Sequence, residues 1–195
     1  MRVLAVLAHP NSSSTSGKLF YEAVAILRQQ GATVDVLELY QHAQQIPFLQ
    51  LPEHGKPFDS VFTDVPFYWE NKERFMAADR LLIAYPVWWY AVPGIMKAWL
   101  DLITNYAWKN NHKSHYADAR HSISKALIIN TASMSWWHRF FGSRNSATEM
   151  VKESCKFLGI KNIKVCEINT AKRRTEGQKD KSSLRVAQLA QWLGE

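Results

Sequence analysis

Five apolar runs of strand length recur along this chain of 195 residues, with amphipathic segments between them. Each run is continuous rather than alternating, which is typical of a strand that is covered on both faces. The segments between them repeat apolar residues at helical spacing, and Gly31 and Gly159 follow two of them as stop signals. Strands that alternate with helices form a βαβ series, so we predict an open parallel sheet with helices on both faces. The predicted strands are 2–8, 34–39, 80–85, 125–130 and 162–168.

The length and the apolar content favour one domain over residues 1–195, since 47% of the residues are apolar. The longest apolar stretch, 84–103, contains Pro86, Pro93, Lys97 and Asp101. We therefore predict a strand end, a turn and an amphipathic helix there, and no transmembrane segment. No small-residue cleavage site follows the first apolar run, so we expect a cytoplasmic protein. The stretch 40–69 has several prolines and no clean period, and we expect short helices or a cover over the site.

Cysteine usage and charge narrow the function classes. Cys155 and Cys166 lie in different predicted elements, so we expect two buried thiols and no disulfide. The net charge is +7, from 24 basic and 17 acidic residues, which favours anionic partners such as NADPH, nucleic acid or an acidic membrane face. The alternative is a solvated basic surface without a partner. No zinc knuckle, RNA-binding aromatic signature or basic heptad array accompanies these charges, so we predict no nucleic-acid partner.

Ligands of open parallel sheets bind beyond the carboxyl ends of the strands, which directs attention to three loops. The first loop, 9–17, is rich in hydroxyl groups and leads into a helix, so it predicts a phosphate site. The alternative is a polar capping loop. An ATP-type phosphate loop is excluded, because Ser12 and Leu19 stand where that motif needs glycine and a hydroxyl residue. The candidate phosphate residues are His9, Ser14, Thr15 and Ser16.

The second loop, 86–92, places three consecutive aromatic residues between two prolines. Consecutive loop amides can donate to the carbonyl and nitrogen edge of a flavin ring and favour its reduced, negative form. A neighbouring aromatic face can stack on the ring. The alternative is that Trp88, Trp89 and Tyr90 fill a core or a dimer contact.

Residues 77–101 resemble the signature of the NAD(P)H:quinone oxidoreductases of the flavodoxin-like superfamily. The matching elements are an Ala-Asp pair before the third strand, an aromatic-Pro-x-x-Trp-aromatic-x-Val-Pro loop, and a Lys-x-Trp helix. The Ala-His-Pro start of the first loop matches as well, and the resemblance extends to about residue 130. It implies a flavodoxin-like sheet in the order 2-1-3-4-5.

The resemblance also implies a flavin, FMN or FAD with FMN favoured, and NAD(P)H as co-substrate. It places the phosphate near His9 and Ser14 to Ser16. The family's third loop is usually Thr-Thr-Gly-Gly, whereas this chain lacks both glycines, which we expect to shift the ring contact or narrow the pocket. The residues implied for the ring are Pro86, Val87, Trp88, Trp89 and Tyr90, followed in the third loop by Asn130, Thr131, Ala132 and Ser133.

Family members often place a tyrosine and a histidine beside the flavin, and the corresponding region here contains His138 but no tyrosine. We predict His138 as the catalytic residue, with a surface histidine in an aromatic patch as the alternative. The resemblance implies Tyr106 and Trp108 as substrate-pocket residues, with ordinary helix-end packing as the alternative. Trp137 belongs to an aromatic cluster whose exposure would be costly, so we expect it to line the substrate pocket or a partner surface.

The resulting functional prediction is two-electron reduction of a quinone-like acceptor by a ping-pong mechanism. We also expect a homodimer, as in the family that the chain resembles. The resemblance equally permits a regulatory subunit of an ion-efflux system, with a peripheral membrane partner. A one-electron flavodoxin carrier is disfavoured, because such carriers are typically acidic whereas this chain is basic.

Overall fold

The computed structural model describes residues 1–107, 121–133, 146–170 and 175–195. Within them, five parallel strands form one sheet in the order β2-β1-β3-β4-β5. This confirms the predicted fold class and strand order. The strands are β1 (Arg2–Leu7), β2 (Thr33–Glu38), β3 (Arg80–Val87), β4 (Lys125–Ala132) and β5 (Asn162–Asn169).

Helices cover both faces of the sheet, as the continuous apolar strands predict. In the described residues these helices are α1 (Thr15–Gln29), α2 (Pro66–Met76), α3 (Gly94–Ala107), α4 (Ser146–Phe157) and α5 (Glu176–Gly194). Buried side chains of α1 and α5 pack on one face, and those of α2, α3 and α4 pack on the other. Two separate apolar cores result, one on each side of the central strands.

The stretch after β2 holds two short 3-10 helices, Leu39–His42 and Phe58–Phe62, which confirms the expected short helices. Helix α2 follows and was not predicted. Its buried residues Phe67, Tyr68, Asn71 and Phe75 do have helical spacing, but a buried asparagine and the exposed Trp69 obscure the apolar stripe. Pro66 at the helix start is the signal that could have identified it.

Strands β3 and β4 each extend two residues beyond their predicted ends. Pro86 pairs in register with Thr131, and Val87 with Ala132. Proline is tolerated in β3 because β1 ends opposite Ala84, so from that point β3 pairs on one side only. Four of the residues predicted to contact a ligand therefore belong to strand ends rather than loops.

Both cysteines are buried free thiols, as predicted, and they lie in the cores on opposite faces of the sheet. Among the described residues, no helix is long and apolar enough to cross a membrane. The same residues contain no group of three or more His, Cys, Asp or Glu side chains that could hold a metal ion.

Candidate flavin site at the carboxyl edge of the sheet

The loop after β1 is held in shape by a chain of short-range hydrogen bonds. Nδ1 of His9 accepts the amide N–H of Asn11 at 2.9 Å, and the side-chain oxygen of Asn11 accepts the amide of Ser13 at 2.8 Å. Because Nδ1 accepts a hydrogen bond, the neutral His9 ring carries its proton on Nε2, and Nε2 can donate to a ligand. Partial burial lowers the pKa of His9, so the neutral form is favoured.

Ser14 is the N-cap of α1, so the loop does have the capping role of the alternative. Its hydroxyl oxygen accepts the amide N–H of Gly17 at 3.1 Å. None of the described residues accepts a hydrogen bond from the amides of Thr15 or Ser16, and the first turn carries no acidic residue. Free amides at the start of a 15-residue helix attract an anion. The first loop therefore fits a phosphate group as well as a capping role.

Gly17 allows the loop to pack directly against the first turn of α1. A Cβ atom at this position would lie 2.0 Å from the carbonyl oxygen of Ser12 and 2.8 Å from its Cα. Any side chain here would displace backbone atoms, so the shape of the candidate phosphate site requires glycine.

The hydroxyl of Ser16 points into the protein rather than toward a ligand. Its oxygen lies 2.6 Å from the hydroxyl oxygen of Thr131, and both residues are buried. The predicted contribution of Ser16 to phosphate binding is thus limited to its amide. The hydroxyl of Thr131 is likewise used in the interior, where it bonds to the end of the first loop.

The loop after β3 is a tight hairpin of residues 88–91, called the aromatic hairpin below. Trp88 and Ala91 exchange two backbone hydrogen bonds, each 3.0 Å long. The two residues at its tip have positive φ, 52° for Trp89 and 65° for Tyr90. These values match a type I′ turn, which favours Asn-Gly and is unusual for two aromatic residues.

The aromatic hairpin does not bury its own side chains, so its tryptophans do not fill the space beside it. Trp89 is 94% exposed, and Trp88 and Tyr90 are also exposed. The Trp88 amide donates a hydrogen bond within the hairpin, whereas no described residue accepts a hydrogen bond from the Trp89 amide. The rings of His9 and Trp88 meet edge to face at 5.7 Å, so the first and second loops adjoin.

The third predicted segment is an extension of β4. Ala132 and Ser133 have no positive φ, so the backbone here does not need the two missing glycines. The Asn130 side chain is buried, and its Nδ2 donates to Oγ1 of Thr148 at 2.9 Å. Its Oδ1 is buried and has no hydrogen-bond partner among the described residues. Asn130 is therefore engaged inside the protein, with its side chain on Thr148 and its backbone between β3 and β5.

The first turn of α4 contributes contacts that the sequence did not reveal. The hydroxyl of Ser146 donates to the carbonyl oxygen of Tyr90 at 2.6 Å. Thr148 Oγ1 donates to the carboxylate of Glu167 at 2.7 Å, and Glu167 lies beside Asn130 in the sheet register. The sequence carries no local signal for these pairs, since their members come from three separate elements.

Four of the predicted residues lie wholly or partly outside the residues that the structure describes. His138, Trp108 and Trp137 lie outside the described residues, as does the side chain of Tyr106. The backbone of Tyr106 belongs to the last turns of α3. The predicted catalytic and substrate-binding roles of these four residues stay predictions.

Two curated relatives show similar sequences. A ribosyldihydronicotinamide dehydrogenase-like protein of Penicillium crustosum is 25% identical over 166 residues, which cover 74% of this chain and 61% of that protein. Ribosyldihydronicotinamide dehydrogenase [quinone] of Mus musculus is 28% identical over 116 residues, or 52% of this chain and 50% of that enzyme. The chain thus spans about half to three fifths of the length of these relatives.

Two solved structures share the fold. An NAD(P)H:quinone oxidoreductase from Methanothermobacter marburgensis superimposes with a TM-score of 0.78 at 23% identity, covering 100% of this chain and 96% of that one. An FMN-dependent NADH-azoreductase from Bacillus anthracis, in complex with FMN, also gives 0.78, at 17% identity and with 100% and 99% coverage. At these identities the likeness concerns the fold alone.

A family model described as the flavodoxin-like fold matches residues 1–193, nearly the whole chain. The match agrees with the observed strand order and with the resemblance found in the second loop. The chain therefore belongs to the flavodoxin-like fold family.

Proposed function

We propose that this protein is a flavin-dependent oxidoreductase, a single flavodoxin-like domain that transfers two electrons from NAD(P)H to a quinone or a related aromatic acceptor. The observation that carries the proposal is the adjacency of two features at one sheet edge. A helix N-terminus with unused amides lies beside an exposed aromatic hairpin, and His9 and Trp88 connect them. A phosphorylated, planar ligand matches this pairing of features.

The chain's own residues would bind the two ends of such a ligand. The amides of Thr15 and Ser16 and the Nε2–H of His9 are donors for the phosphate. The amide of Trp89 is a donor for a ring carbonyl, and the exposed aromatic side chains offer faces for stacking. We favour FMN over FAD, because an FMN-dependent NADH:quinone oxidoreductase is among the similar proteins.

When bound, the flavin would supply the redox chemistry by accepting hydride from NAD(P)H and then passing two electrons to the acceptor in a ping-pong reaction. The protein would orient the reactants on the aromatic hairpin and limit the access of water. The names of the relatives support this activity. They include a quinone-linked ribosyldihydronicotinamide dehydrogenase and an FMN-dependent NADH:quinone oxidoreductase of Listeria monocytogenes.

We also propose a homodimer, since the exposed apolar side chains at Trp89, Phe48 and Leu51 are large for a free surface. Sedimentation equilibrium tests this part separately, and a monomer at micromolar concentration would contradict it.

The activity is tested by loading the purified protein with FMN or FAD, removing free flavin, and following NADH and NADPH oxidation with menadione. We expect oxidation of the coenzyme that depends on the acceptor. When both substrates are varied, double-reciprocal plots of the initial rate should give parallel lines, as a ping-pong reaction requires. Nitro and azo compounds extend the acceptor panel. A flavin-loaded protein that oxidises neither coenzyme with any of these acceptors would rule out the proposed function.

A further inference from the structure

The tip of the aromatic hairpin has a backbone conformation that its residues do not favour. Trp89 and Tyr90 both have left-handed φ values, where the side chains of L-residues crowd the backbone. An Asn-Gly pair would adopt the same turn with little strain. A strained conformation persists only where the surrounding structure maintains it.

Hydrogen bonds at the base and at the tip of the hairpin act to maintain it. Trp89 is almost fully exposed, so packing of its side chain does not fix the turn. The hydrogen bonds between Trp88 and Ala91 close the hairpin at its base. The Ser146 hydroxyl donates to the Tyr90 carbonyl and so reaches the tip from another element.

Ser146 itself is held in place by the residues that follow it. Ala147 and Thr148 are buried. The carbonyl of Ala147 accepts the Tyr85 hydroxyl at 3.3 Å, and Thr148 bonds to both Asn130 and Glu167. The first turn of α4 is therefore attached to β3, β4 and β5, and the Ser146 hydroxyl extends that rigid support to the hairpin tip.

We propose that Ser146 is a positioning residue that holds the aromatic hairpin in its left-handed conformation, and that a flavin ring binds only to this conformation. The second half of the inference rests on the proposed function. The first half concerns the flavin-free protein and is tested without any ligand. A tip released from Ser146 gains access to less strained backbone conformations, which misplace the Trp89 amide.

The test compares Ser146→Ala with Ser146→Thr, which keeps a hydroxyl at the same position. Ser154→Ala is the matched control, because Ser154 lies on the same helix and bonds to Met150 O within that helix. Amide hydrogen exchange of Trp88 and Ala91 is measured in flavin-free protein, and FMN dissociation constants and thermal midpoints are measured in parallel.

We expect Ser146→Ala to accelerate exchange of both hairpin amides about 10-fold and to weaken FMN binding about 10-fold, the effect of losing one ordinary hydrogen bond. Ser146→Thr should restore both values, and Ser154→Ala should change neither. Unchanged exchange in Ser146→Ala overturns the role of Ser146, and faster exchange with unaltered FMN affinity overturns the link to the ring. If the wild-type protein binds no FMN, faster exchange still supports the role of Ser146 while the proposed function fails.

Discussion

The hydroxyl oxygens of Ser16 and Thr131 lie 2.6 Å apart in the interior and join the first turn of α1 to the end of β4. Ser16 lies at the end of the loop that would hold a phosphate, and Thr131 pairs with Pro86 at the base of the aromatic hairpin. One buried hydrogen bond thus fixes the relative positions of the two halves of the candidate site.

We expect Ser16→Ala and Thr131→Val each to lower the free energy of unfolding by about 1–3 kcal/mol, because each leaves a buried hydroxyl without its partner. The double variant should lose less free energy of unfolding than the sum of the two single losses, since the second substitution removes the hydroxyl that the first one left unpaired. Urea denaturation of the four proteins measures this coupling. Ser13→Ala, at an exposed position, is the control. Strictly additive losses would show that the two hydroxyls do not interact.

Gly17→Ala should disrupt the first loop, because its Cβ would overlap the carbonyl oxygen of Ser12. We expect FMN to bind at least about 10-fold more weakly, a loss of about 1.4 kcal/mol in binding free energy. Gly177→Ala is the matched control, since its Cβ would meet no atom within 4 Å. In helix α5 the alanine should stabilise the protein by up to about 1 kcal/mol. Equal FMN affinity of both variants would contradict the assignment of the phosphate site.

Trp89→Asn should relieve strain in the turn, because asparagine tolerates a positive φ better than tryptophan does. We expect the free energy of unfolding to stay level or rise by about 0.5–1 kcal/mol, whereas FMN affinity falls through the loss of ring contact. Leu184→Gln removes another exposed apolar side chain, on α5 and outside the proposed dimer surface, and should leave FMN binding unchanged. A large loss of stability in Trp89→Asn would show that the indole has a packing role.

His121 makes stability depend on pH. Its Nδ1 accepts the amide of Ile123, its Nε2 donates to the carbonyl of Leu158, and burial lowers its pKa. A histidine with a lowered pKa in the folded state contributes stability that is present above pH 6.5, near its unfolded pKa. That stability is lost as the pH falls through the lower folded value. His9, whose pKa is also lowered, acts in the same direction.

We therefore expect the free energy of unfolding to decrease from pH 7.5 to pH 5, as measured by urea denaturation. His121→Asn keeps an acceptor for the Ile123 amide but removes the titrating group. The free energy of unfolding of this variant should therefore change less with pH, and at pH 7.5 it should be about 1 kcal/mol lower than that of the wild type. His54→Gln removes an exposed imidazole and should reproduce the wild-type curve. A His121→Asn curve parallel to that of the wild type would contradict this role.

The carboxyl end of α5 is attached to the sheet by two cations. Nε of Arg80 donates to the carbonyl of Leu193 at 3.1 Å, and Nζ of Lys125 donates to that of Trp192 at 3.0 Å. The last carbonyls of a helix have no hydrogen-bond donors within the helix, and the helix dipole makes this end partly negative. Hydrogen bonds from cations are therefore stabilising at this end. Arg80→Met should lower the free energy of unfolding by about 1–2 kcal/mol in urea. Lys161→Met, at an exposed position, should change it by less than about 0.5 kcal/mol.

The strands and the general location of the site could be predicted because continuous apolar runs and carboxyl-end loops are local features of the sequence. Helix α2 escaped prediction because the polar Asn71 occupies a buried position, where it accepts a hydrogen bond from the Trp99 indole. The left-handed tip at Trp89 and Tyr90 could not be predicted either, since its residue types do not favour it. The contacts of Ser146 and Thr148 depend on tertiary packing, which a single sequence does not specify.

The central claim is that a flavin phosphate binds at the start of α1 while the ring lies against the aromatic hairpin. Titration of flavin-free protein with FMN and with riboflavin, followed by quenching of flavin fluorescence, tests it most directly. We predict saturable 1:1 binding of FMN, and riboflavin binding weaker by at least about 10-fold because it lacks the charge-assisted phosphate bonds. No saturable binding of FMN, or equal affinity for both compounds, would contradict the claim.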